Sequence, residues 1–210
     1  MACAAVFFGI GCGRREPAPV VAQALAPVKS QPAIVFLGDS LTAGYGLESE
    51  EAYPALIEKK IQDEKLAYRV VNAGVSGDTT AGGMRRLNWV WKGEVKILFV
   101  ALGANDGLRG VPVEESYKNL EATIQSAEVR GCTLVLAGMK LPTNYGETYR
   151  KAFERMYADL AKVHKVTLLP FLMEGVGGRP EFLQADGLHP NREGQQKLAE
   201  TVWKVLRPFL

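Results

Sequence analysis

The chain has 210 residues, 47% of them hydrophobic and 23% charged, which suits a single soluble domain with room for a substantial core. Its net charge of +2 comes entirely from the first thirty residues, where Arg14, Arg15 and Lys29 face only Glu16; residues 31–210 are balanced. A neutral body excludes nucleic acid as the main partner, because phosphate binding needs clustered lysine and arginine.

The first 32 residues read as a leader and linker, distinct from a domain over 33–210. "ACAAVFFGIGCG" is apolar but too short to span a bilayer. It resembles the hydrophobic part of an export signal without the basic start, and Cys12 loosely resembles a lipoprotein cleavage site. The expectation is an exported protein, periplasmic or lipid-anchored, whose membrane contact would run only through this leader. "AQA" at 22–24 is a second cleavage candidate, and the Ala/Pro-rich stretch after Glu16 is a linker. Cys3, Cys12 and Cys132 form no Cys-x-x-Cys pair, so zinc and disulfide frameworks are not indicated.

From residue 33 the pattern alternates. Strands are expected at 33–37, 68–74, 96–102, 133–139 and 166–171. Helices are expected at 50–64, 79–93, 112–131, 147–165 and 190–210, the last with Pro190 in its first turn. Alternation of this kind implies parallel crossovers and an α/β fold: a three-layer, flavodoxin-like doubly wound sheet of about five parallel strands. Such sheets carry their sites at the carboxyl ends of the strands.

Those ends collect small and polar residues. The first strand runs into Gly38-Asp39-Ser40, the second into Asn72 and then Ser76-Gly77-Asp78, and the third into Gly103-Ala104-Asn105-Asp106. The fourth precedes Pro142-Thr143-Asn144-Tyr145, and the fifth leads to "DGLHPN" at 186–191. Asp186 and His189 are three apart in a turn. That spacing lets the carboxylate hold Nδ1 of the imidazole and leaves Nε2 free as a base. The competing reading makes Asp186 a cap for the last helix and His189 a bystander. His164, at a helix end, reads as a structural residue. A serine needs such a base to become a nucleophile, and the reaction needs donors for an oxyanion. The backbone N–H groups of Ser40 and Gly77 and the side-chain amide of Asn105 are the candidates. Asp39 is expected to fix the turn through backbone hydrogen bonds, outside the proton transfer. Ser76 in "GVSGD" is a rival nucleophile. Gly-x-Ser-x-Gly is absent, as are Gly-Lys-Ser/Thr and carboxylate clusters with metal spacing.

Taken in order, "GDSL", "SGDT", "GAND" and "DGLHP" resemble the four sequence blocks of the SGNH (GDSL) hydrolase family, over nearly all of 33–210. The resemblance implies Ser40 as nucleophile, His189 as general base and then acid, and Asp186 as its orienting partner. It also implies an oxyanion hole from Ser40, Gly77 and Asn105, with no metal and no cofactor. The "LPTNYG" loop (141–146) matches a segment that lines an acyl groove in relatives, and Asn144 and Tyr145 within it, together with Asp39 and Leu188, are expected to bind substrate. Ala104 stands where the family commonly has a second glycine. The implied substrate is a small acyl ester or thioester: arylesters, acyl-CoA or lysophospholipid-type chains. The default assembly is a monomer. A carbohydrate acetyl esterase of the same family is the alternative, and a catalytically silent lipid- or glycan-binding module is a third reading. A histidine base makes activity rise with pH through the ordinary imidazole range.

Overall fold

The computed structural model describes residues 1–2 and 31–210. Most of the leader and linker assigned to 1–32, Cys12 and the "AQA" tripeptide included, lies outside the described residues.

The elements run β1 (Ala33–Gly38), α1 (Ser40–Ala43), α2 (Tyr53–Asp63), β2 (Arg69–Gly74), α3 (Thr80–Arg85), α4 (Leu87–Val90), β3 (Val95–Ala101), α5 (Ala104–Leu108), α6 (Val113–Glu128), β4 (Thr133–Ala137), α7 (Glu147–His164), β5 (Thr167–Leu169) and α8 (Arg192–Leu206). All strands are parallel, in the order β2-β1-β3-β4-β5. This is the flavodoxin-like order, and it reverses direction beside β1. α2 packs with α8, and α6 packs with α3 and α7, which forms the two helical layers.

Burial explains the sequence pattern. β1 is buried at all six positions and β3 at its last five, so both read as unbroken apolar runs. Phe36, Phe99 and Tyr53 meet in the core with ring centroids 5.2 to 6.2 Å apart. β2 lies at the sheet edge and keeps Arg69 and Asn72 exposed.

Three departures from the sequence reading have a clear local cause. The helix expected at 79–93 is two short helices meeting at Arg86. Its glycines serve close packing: a Cβ on Gly83 would lie 2.1 Å from the Leu102 side chain. The last helix begins at Arg192, not at Pro190. Asn191 caps it by accepting the Gly194 N–H at 2.9 Å, while Pro190 pairs with Leu183 in an isolated antiparallel bridge. β5 stops at Leu169, before Pro170. The register sets Gly38 of β1 beside Ala101 of β3 and Gly74 of β2, so three strand ends open side by side at the point of reversal.

Candidate active site

Ser40 is the first residue of α1, directly after Asp39, whose Oδ1 caps the turn by accepting the Leu41 N–H at 3.0 Å. The turn-fixing bond expected of Asp39 is therefore present. α1 is a single turn, so what it offers a negative charge is its first free N–H groups rather than a summed macrodipole.

His189 reaches the serine from the other end of the chain. Its Nε2 lies 2.9 Å from Ser40 Oγ, and its Nδ1 lies 2.6 Å from Asp186 Oδ2. Asp186 Oδ1 also accepts the N–H groups of Leu188 (2.9 Å) and His189 (3.0 Å). These donors, led by the His189 N–H, pull the Asp186 pKa down to about 2, so it stays a carboxylate at any working pH. A charged Asp186 accepts a hydrogen bond from Nδ1–H, which leaves Nε2 to accept one from the Ser40 hydroxyl. The Tyr45 ring leans on the imidazole with centroids 4.6 Å apart.

Asn105 sits in the first turn of α5. Its Nδ2 donates to the Asp78 carbonyl at 2.9 Å, and its second proton has only a weak 3.5 Å contact with Asp39 Oδ2. Gly77 lies in the exposed loop after β2 at φ +79°, a left-handed conformation that favours glycine. Arg109 holds that loop by donating to the Gly77 carbonyl at 3.0 Å.

A cavity of about 600 Å³ opens from Ser40, Asn105 and His189 and runs along Leu41, Leu108, Met139, Leu141, Phe171 and Met173. Asp39 lines it but is only 1% exposed, and Leu188 stands at its mouth, 45% exposed. Asn144 and Tyr145 lie outside its lining. Asn144 points to solvent, and the Tyr145 hydroxyl donates to the Leu108 carbonyl at 3.0 Å, bracing the loop from behind. Ser76 is exposed and makes no hydrogen bond to either histidine. His164 is held at the end of α7 by Glu128, 2.9 Å away.

Residues 36–197 match the model of the GDSL-like lipase/acylhydrolase family. The chain belongs to this family. It is 44% identical over 178 residues to the esterase TesA of Pseudomonas aeruginosa, a match covering 84% of this chain and 89% of the relative. It is 40% identical over 178 residues to thioesterase 1/protease 1/lysophospholipase L1 of Escherichia coli K12, covering 84% of each. The crystal structure of TesA superposes with a TM-score of 0.82 at 42% identity, over 85% of this chain and 99% of that one.

Around this GDSL-family centre lie residues that the sequence reading gave no role. Asp106, 2% exposed, accepts the Thr80 N–H at 2.9 Å, the Thr80 hydroxyl at 2.6 Å and the Ser116 hydroxyl at 3.3 Å. It thereby ties the Asn105 turn to α3 and α6. Asp78 pairs with Arg86 at 2.8 Å, and Arg86 donates to the Gly38 carbonyl at 3.3 Å, just before the serine turn. Both acids sit in the quoted motifs, "SGDT" and "GAND"; their position beside glycine-rich turns was the available signal.

Proposed function

We propose that the chain hydrolyses carboxylic esters and thioesters of acyl groups through an acyl-Ser40 intermediate. The observation that carries this reading is the continuous run from Ser40 Oγ through the His189 imidazole to Asp186, at the mouth of a largely apolar cavity. His189 Nε2 takes the hydroxyl proton as Ser40 Oγ adds to the acyl carbonyl. The carboxylate of Asp186 stabilises the imidazolium. The Ser40 and Gly77 N–H groups and the second Asn105 Nδ2 proton receive the oxyanion; removing one such donor costs about 3 to 4 kcal/mol in measured cases. Collapse expels the alcohol or thiol, which takes the proton from His189. Water, activated by the same nitrogen, then releases the acid.

The names of the relatives, an esterase and a thioesterase/lysophospholipase, support this acyl chemistry. The cavity supports a chain longer than acetyl, since an acetyl group fills only a small part of it.

The test is a steady-state assay of p-nitrophenyl esters from acetate to palmitate on wild type, Ser40→Ala and Ser76→Ala. Ser40→Ala is expected to lose at least about a thousandfold in kcat, and Ser76→Ala to keep its activity. Near wild-type rates in Ser40→Ala would overturn the assignment.

A further inference from the structure

We propose that Gln184 is a positioning residue: its side-chain amide clasps the loop that carries Ser40 to the loop that carries His189, and so sets the geometry of proton transfer between them. The inference rests on the hydrolase reading given above.

Ser40 and His189 are 149 positions apart, yet their hydrogen bond must hold to a few tenths of an ångström. Neither strand register nor helix packing fixes the gap directly, because both residues stand on loops or first turns above the sheet. Gln184 bridges it. Its Nε2 donates to the Tyr45 carbonyl at 2.7 Å and to the Pro190 carbonyl at 3.0 Å, one proton for each loop. Its backbone N–H donates to the His189 carbonyl at 2.8 Å, and its own carbonyl accepts the Gly187 N–H at 2.9 Å. Every polar group of Gln184 except Oε1 is thus spent on the turn that holds Asp186 and His189 or on the serine loop.

The far anchor is equally direct. The Tyr45 N–H donates to the Ser40 carbonyl at 3.0 Å, closing one turn of backbone onto the nucleophile. The Tyr45 ring rests against the His189 imidazole, so the residue gripped by Gln184 touches both partners of the proton transfer. Gly46 makes room for the amide: a Cβ there would lie 2.3 Å from Gln184 Oε1. Beneath this clasp a second glutamine, Gln195, buried to 1% exposure, accepts the Tyr53 N–H at 2.9 Å and donates to the Leu41 carbonyl at 3.2 Å, joining α8 to the same serine segment. Gln184 is half-buried, so its replacement perturbs the clasp without opening the core.

Gln184→Met removes both donors and keeps the side chain's length. Gln184→Asn keeps the amide but falls one methylene short of spanning two carbonyls. Both are compared with wild type and Ser40→Ala by p-nitrophenyl butyrate kinetics and by titration of Ser40 with an organophosphonate. The expected result is a kcat lowered roughly ten- to a hundredfold with KM within about twofold. Phosphonylation should slow to match while reaching the wild-type number of sites. A merely structural role would lower the number of reactive sites and leave the rate per site alone; that outcome overturns the clasp. So does kcat within twofold of wild type in both variants while Ser40→Ala is inactive. An active Ser40→Ala would instead bring down the hydrolase reading on which the clasp rests.

Discussion

Replacing Asp39 with asparagine isolates the cost of a buried charge next to the nucleophile. Asp39 is 1% exposed, and only Oδ1 has a strong donor, the Leu41 N–H. Burial raises its pKa from the ordinary 3.8 to about 6, against the opposing pull of the Leu41 N–H and of His189. A carboxyl whose pKa rises on folding favours the folded state most fully below pH 3.8, and that contribution is lost as pH rises through about 6. About two units at 1.36 kcal/mol each amount to roughly 3 kcal/mol of cost at pH 8. Asparagine caps a helix as well as aspartate does, so the Leu41 bond survives. Its amide would face the Asn105 amide where Oδ2 now lies, which returns about 1 kcal/mol. Asp39→Asn should therefore be more stable than wild type by about 2 kcal/mol at pH 8, or about 4–8 °C in Tm, with the gap closing toward pH 4. Urea melts of both proteins at pH 4, 6 and 8 measure it. A gap independent of pH, or a wild type more stable at pH 8, refutes the reasoning. Activity should fall in the same variant, because the Asp39 charge favours the imidazolium that forms on His189.

Asp106→Asn places an amide against the three donors from Thr80 and Ser116 and should cost about 1–3 kcal/mol in chemical denaturation, with kcat falling as the Asn105 turn loosens. Gly77→Ala meets no close neighbour, the nearest being Arg109 Nη2 at 3.7 Å, so its cost comes from φ +79° alone: about 1–2 kcal/mol of strain or a displaced amide, read as lower kcat with little change in KM. Leu108→Trp fills part of the cavity and should shift the p-nitrophenyl ester optimum to shorter chains; an unchanged chain-length profile would remove Leu108 from the acyl path.

The central strands were legible because β1, and β3 over its last five residues, are covered on both faces and apolar there. α1 and α5 carry no helical period in the sequence: four and five residues are too few to show one, and Asp39 and Gly103 start them through local geometry. The break at Arg86 escaped because an amphipathic pattern continues across it. Ser40, Asp186 and His189 stood out by residue type and, for the last two, by spacing within one turn. The supporting bonds had no such signal. Thr80 meets Asp106 across 26 residues and Gln184 meets Tyr45 across 139, and no local pattern marks a glutamine in a loop as a tie. Tyr145 was placed on the substrate side because its loop resembles a groove-lining segment of the family; its hydroxyl instead turns back to the Leu108 carbonyl.

The 149-residue separation between Ser40 and His189 also makes the site a clock for folding. β1, which precedes the serine, pairs with β2 and β3, while the histidine turn is positioned only once α8, which follows it, docks against α2. Contacts between the two ends of a chain carry a large loop-closure cost and form late. During refolding, esterase activity should return with the slowest phase, after most of the far-ultraviolet circular dichroism has recovered.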